Sequence, residues 1–154
     1  MSYRSSASSL GSFSETWIEA VCESKRLPLH HWNEGVFIEL VTLDEIIQLH
    51  GTPDFIKINV EGYESEVLKG LSIPIKVLSF EYTVPERIES AIECLDIVKK
   101  LHQDQVWFNY SIGETMELSL ANWVNFEELK LEMRSERFLN SSAGDIYAKG
   151  AYQT

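Results

Sequence analysis

Basic residues are scarce in this chain: 13 Lys and Arg face 24 Asp and Glu over 154 residues, a formal net charge of -11 at pH 7. That balance argues against nucleic acid and anionic membranes as partners, because both would repel it. Cysteine is almost absent. Cys22 and Cys94 lie too far apart for any metal or redox spacing, which predicts free thiols in a reducing, cytoplasmic setting. No apolar run approaches the ~20 residues of a membrane helix, and no signal-peptide-like stretch opens the chain. Of the eight glycines no two are separated by a single residue, so a G-x-G turn is missing. Metal chemistry has no foothold either. His30 and His31 are adjacent, so their side chains diverge, and His50 and His102 add no ligand at a recognised spacing. A G-x-S-x-G elbow, an H-E-x-x-H helix and a phosphate loop are also missing.

The remainder fits one compact domain, since 44% hydrophobic content over this length suffices for a sizeable core. Residues 1–14 are serine-rich and read as a flexible arm, leaving 15–154 as a single α/β domain. Ser14 caps a helix expected from Glu15 to Arg26, and Val36 to Val41 reads as a strand. Thr42 and Glu45 form a capping box for a helix stopped by Gly51 and Pro53. Gly70 is placed to end a short helix in a left-handed conformation, and Ile75 to Glu81 forms a second core strand. From Pro85 to His102 the apolar residues recur at helical spacing. Val106 to Ile112 and Met116 to Leu120 read as strands joined by a turn at Gly113-Glu114. Asn125 and Glu128 cap a helix to about Glu136, and Asp145 to Lys149 makes a final antiparallel strand.

The most informative stretch is Asp54-Phe55-Ile56-Lys57-Ile58-Asn59-Val60-Glu61-Gly62-Tyr63-Glu64, an apolar run that stops at polar residues and a glycine. Side chains alternate along a strand, so Ile56, Ile58 and Val60 face one side and Phe55, Lys57, Asn59 and Glu61 the other. Gly62 permits a tight turn into a helix. Ligands of doubly wound α/β sheets bind outside the carboxyl ends of strands, which is where this turn falls.

From Val41 the chain reads VTLDEIIQLHGTPDFIKINVEGYESEVLKGL, continuing through Lys76-Val77-Leu78-Ser79-Phe80-Glu81 and Gly144-Asp145-Ile146-Tyr147-Ala148. This resembles the second half of an FkbM-type methyltransferase, with its TLDEL-like helix and KIDVEGxE strand end, from about Val36 onward. The resemblance implies an incomplete class I methyltransferase (Rossmann-like) sheet, mostly parallel with an antiparallel final strand. It also implies methyl transfer from S-adenosylmethionine to a hydroxyl of a small molecule or sugar. The glycine-rich cofactor loop of that family has no counterpart here, and Asn59 stands where the family usually has aspartate. An amide keeps an acceptor but has no charge and takes no proton as a base.

Asn59, Glu61, Gly62, Tyr63 and Glu81 are the candidate cofactor-binding or substrate-binding residues; no catalytic residue is assigned. Glu81 would neighbour Glu61 if their strands pair, and paired carboxylates raise each other's pKa and can exchange protons. Set against this, strand-end carboxylates are commonly solvated, and Glu64 has a structural explanation in the first turn of a helix. Two function classes stay open: the carboxyl-terminal part of a methyltransferase, or a non-catalytic α/β interaction module derived from one. Loss of the first core strand would leave an open sheet edge suited to self-association.

Overall fold

The computed structural model describes residues 2–5, 11–24 and 32–151; His30, His31 and Arg26 fall outside them. Ser2–Ser5 (β1) pairs antiparallel with Trp32–Val36 (β2), so part of the stretch read as a loose arm is a strand. Glu15–Glu23 (α1) follows Ser14, whose hydroxyl accepts from Trp17 N at 3.1 Å. The strand expected over Val36 to Val41 is not formed: β2 ends at Val36, opposite Ser2, and among the described residues no strand lies further out to pair with.

Leu43–His50 (α2) starts at the expected capping box, with Glu45 N donating to Thr42 Oγ1 at 3.2 Å and Thr42 N to Glu45 Oε2 at 2.7 Å. Then come Phe55–Ile58 (β3), Glu64–Lys69 (α3), Val77–Thr83 (β4) and Ile88–Leu101 (α4). Val106–Tyr110 (β5), Phe126–Glu132 (α5), Glu136–Leu139 (α6) and Ala143–Gly150 (β6) complete the chain. The helix expected to reach Glu136 stops at Glu132, and a separate turn of helix opens at Ser135, whose hydroxyl accepts from Phe138 N at 3.1 Å. Gly70 is not left-handed, since its φ is -83°. Its lack of a side chain answers a space constraint instead, since a Cβ there would sit 3.2 Å from Thr42 Cβ.

The main sheet runs β3-β4-β6-β5. β3 and β4 are parallel, whereas β6 lies antiparallel to both β4 and β5. The expectation of a mostly parallel sheet is therefore corrected: only one of three pairings is parallel, because the last strand inserts between β4 and β5 instead of joining at an edge. Met116 to Leu120 is no strand. Gly113 and Met116 take positive φ, 55° and 56°, which breaks the extended path. The side chain of Asn109 substitutes for a strand partner, its Nδ2 donating to Leu120 O at 2.9 Å and its Oδ1 accepting from Leu120 N at 3.1 Å.

Alternation decides which face is covered. Ile58, Leu78, Phe80, Tyr82, Ile146, Ala148, Phe108 and Tyr110 are all buried on the side where α4 packs on β4 and α5 on β5. Tyr82, Tyr110 and Phe138 form the densest knot, with Tyr82 and Phe138 stacked at 4.6 Å and Tyr110 edge-on to Phe138 at 5.0 Å. The opposite face carries Phe55, Lys57, Ser79, Glu81, Asp145, Tyr147 and Trp107, and Phe55 and Trp107 are exposed there.

Candidate active site at the carboxyl ends of β3 and β4

The turn after β3 is built around one carboxylate. Glu64 Oε1 accepts from Val60 N at 3.1 Å and from Gly62 N at 3.2 Å, so the helix-start acid reaches back and satisfies two donors of the strand end. Burial pushes the Glu64 carboxyl up, and these amides together with Arg87 pull it back down. This explains the second acid of the Val60-Glu61-Gly62-Tyr63-Glu64 motif as a structural clamp.

Within the clamp, Glu61 and Gly62 both have positive φ, 50° and 90°. Gly62 is required twice over: that backbone is strained for a side chain, and a Cβ would strike the Trp17 side chain. α1 is pinned across the turn, with Ser12 Oγ donating to Glu61 O at 2.6 Å and Trp17 Nε1 to Thr83 Oγ1 at 3.4 Å. Trp17 is 4% exposed. It fills the crevice over the strand ends and leaves a hollow of about 10 Å³ against Gly62, Glu64, Glu81 and Thr83.

Glu61 and Glu81 are electrostatically coupled, as neighbouring strand ends dictate. Burial, then the Glu64 charge, raises Glu61 to about 7. Burial raises Glu81 to about 8, reinforced by Glu61, Glu64, Asp145 and Glu114. Across the sheet Glu81 stands opposite Asp145 in register. Asp145 Oδ2 accepts from Lys57 Nζ at 2.8 Å, while its buried Oδ1 has no hydrogen-bond partner. Asp145 is not among the sequence-derived site candidates, because it lies far along the chain and only the antiparallel insertion of β6 brings it opposite Glu81. Lys57 was likewise unmarked.

The candidate residues therefore separate. Glu61, Gly62 and Glu81 converge. Tyr63 does not line that hollow; with Gly62, Phe13, Thr16, Arg87 and Ser90 it lines an adjoining open pocket of about 460 Å³. Arg87 Nη1 donates to Thr16 Oγ1 at 3.1 Å there, while its Nε has no partner. Asn59 is exposed at the end of β3 and lines neither hollow. Tyr82, a neighbour of Glu81 in sequence, turns to the helix-covered face, where its hydroxyl donates to Ser111 O at 3.0 Å. Among the described residues no group of three or more His, Cys, Asp or Glu is arranged to hold a metal ion, and no helix is long and apolar enough to cross a membrane. Cys22 is exposed and Cys94 buried, both as free thiols.

Fit to S-adenosylmethionine is poor on these residues alone, since a nucleoside does not enter a hollow of about 10 Å³ and no glycine-rich turn stands beside it. Residues 4–138 match the family model described as "Methyltransferase FkbM domain". The match begins upstream of Val36, within β1, takes in α1 and β2, and stops before β6. No curated protein matches the chain.

Proposed function

The chain belongs to the FkbM methyltransferase family, and from that premise we propose that it serves as the carboxyl-terminal, acceptor-side portion of an enzyme methylating a hydroxyl of a small molecule or sugar. S-adenosylmethionine is the methyl source on this reading, held mainly by groups outside the described residues. The observation that carries the reading is the convergence of Glu61 and Glu81 on the Gly62 turn, with carboxyl groups raised to about 7 and about 8. A carboxyl group with a pKa near neutrality is suited to taking the proton that an acceptor hydroxyl loses. Glu81 is the proposed proton acceptor, Glu61 holds its charge state, and Glu64 keeps the turn in shape. Tyr63 and Arg87 offer an aromatic ring and a guanidinium to an acceptor in the open pocket.

A second reading, a non-catalytic interaction module, is favoured by one observation: Trp17 already fills the crevice. Calorimetric titration with S-adenosylmethionine, followed by transfer of labelled methyl to a panel of hydroxylated acceptors, separates the two. Methyltransferase function predicts weaker-than-micromolar cofactor binding and slow label transfer onto oxygen that Glu81→Gln abolishes. Absence of both binding and transfer would overturn it in favour of the module.

A further inference from the structure

Lys57 does not stay over its own strand. β4 lies between β3 and β6, yet Lys57 Nζ, starting from β3, reaches Asp145 Oδ2 on β6 at 2.8 Å. In register Lys57 stands beside Ser79, and Asp145 stands opposite Glu81, so the lysine stem crosses β4 on a diagonal toward the row of Glu81. The ion pair is lopsided in exposure. Asp145 keeps 6% of its side chain in solvent against 33% for Lys57, and the ammonium therefore offsets much of the cost of a buried carboxylate. The pair engages one oxygen. Asp145 Oδ1 is buried without a hydrogen-bond partner, and an orphaned acceptor of this kind calls for a donor.

Two donors flank that carboxylate. Ser111 N donates to Asp145 O at 2.9 Å, which places Ser111 beside Asp145 on the β5 side, and the Ser111 hydroxyl is buried and also without a partner. On the β4 side stands Glu81, a donor only while it carries a proton. Cα atoms of directly opposed antiparallel residues are about 4.5–5.5 Å apart, so the two carboxyl groups share one neighbourhood on one face. Like charges so placed do not both ionise freely, and the proton settles on the acid with the weaker compensation. Lys57 compensates Asp145. Glu81 faces acids instead: Glu61 and Glu64 from the turn after β3, Asp145 from β6 and Glu114 from the loop after β5, while Arg87 acts on Glu64.

We propose that Lys57 and Asp145 are positioning residues for Glu81: the ammonium fixes Asp145 as the ionised member of the carboxyl pair, and the Asp145 charge makes Glu81 the member that takes and returns the proton. This rests on the proposed role of Glu81 as proton acceptor and assigns what sets its basicity. Without Lys57 the proton would be divided between two acids, and without the Asp145 charge Glu81 would be a weaker base at neutral pH. All three groups lie on strands bonded to one another, so the arrangement is indifferent to what pairs with the far side of β3.

The test is a carboxyl-carbon NMR titration of the full chain, without any ligand, from about pH 5 to about pH 9. The expected result is a Glu81 carbon that moves in a step at about pH 8 while the Asp145 carbon keeps its ionised shift. Asp145→Asn should lower the Glu81 step by about one pH unit, since it removes a neighbouring charge and offers an amide N–H to the ionised carboxylate. Lys57→Met should make the Asp145 carbon move together with that of Glu81, and Lys57→Arg should restore separate behaviour. In transfer of labelled methyl, the pH of half-maximal kcat/KM should follow the Glu81 step downward in Asp145→Asn. Lower melting temperatures with the Glu81 step left in place would make the ion pair merely structural and overturn the proposal. So would an Asp145 carbon that already shares the Glu81 step in the unaltered chain, a result that needs no variant to fold. Because the titration requires no turnover, a failed transfer assay and a failed titration are told apart: the first strikes the methyltransferase reading, the second the roles of Lys57 and Asp145.

Discussion

The two edges of the main sheet meet opposite fates. Outside β5, Phe108 and Val124 exchange backbone hydrogen bonds of 2.7 and 2.9 Å, and Ser119 N donates to Tyr110 O at 2.7 Å. Outside β3 there is no pairing strand among the described residues, and its neighbours in the chain expose large apolar side chains. Both edges border segments of similar apolar, β-prone composition, so composition does not decide which edge is closed. The loop at β5 succeeds because Asn109 projects its amide from the strand and holds Leu120 from both sides. β3 projects Lys57 at the equivalent central place, and that side chain is drawn across the sheet to Asp145.

Excavating the closed side has the largest expected effect. Phe138 is fully buried against Tyr82 and Tyr110, so Phe138→Ala should cost about 3–5 kcal/mol in urea unfolding. Phe37→Ala, at the open side, should change monomer stability by no more than about 0.5 kcal/mol at concentrations too low for association. Equal losses at the two sites would show that the open side is packed after all.

Between the edges lies the Glu64 clamp, the next largest effect. Glu64→Ala leaves Val60 N and Gly62 N without an acceptor, an expected loss of about 1–3 kcal/mol. Glu64→Gln keeps one acceptor oxygen and should lose less. Because α1 hangs on this turn through Ser12 and Trp17, the alanine variant should also shift tryptophan fluorescence toward the red. An unchanged spectrum would mean that α1 is held independently of the turn.

Local chemistry was legible in the sequence where a motif closes on itself within a few residues. Thr42 with Glu45, Asn125 with Glu128, and the turn at Gly62 all read correctly, because capping and positive φ need no distant partner. The α/β character and the parallel β3–β4 pair were legible too, from apolar runs alternating with helical spacing. What failed depended on partners remote in sequence. Val36 to Val41 has strand composition but no strand to meet; Met116 to Leu120 is preempted by the Asn109 amide; and the direction of the sheet rests on where β6 inserts. The site follows the same division. Glu61, Gly62 and Glu81 are brought together as their motif and strand pairing imply, whereas Asp145 and Lys57 enter only through the register of β6.

Acid clustering makes the middle of the sheet sensitive to pH. The Glu61 and Glu81 carboxyls are raised in the fold, from 4.5 to about 7 and about 8, so between these limits the native state binds more protons than the unfolded chain. As far as these two groups are concerned, stability is greatest below about pH 4.5 and falls as pH rises from there toward about 8. Glu81→Gln removes the larger part of that slope and should raise stability above pH 8 by about 1–2 kcal/mol, a figure discounted for the solvent that reaches the carboxyl. A slope unaltered by the substitution would mean that Glu81 ionises freely at the surface.

α2 is tied to the rest of the chain by Asp44 N donating to Gly70 O at 3.0 Å, by Ser72 N donating to Asp44 Oδ1 at 2.8 Å, and by Leu43 and Ile47 on the core's margin. With so little burial, its cap carries a large share of its order. Thr42→Ala should cost about 1 kcal/mol, and the loss should be local. Hydrogen exchange at Ile46 N and Gly51 N, which bond to Thr42 O and Ile47 O, should accelerate by about fivefold, while amides of β4 and β6 keep their rates. A uniform acceleration through β4 and β6 would instead make α2 part of the same cooperative unit as the Phe138 knot, and the contrast between the two edges would no longer hold.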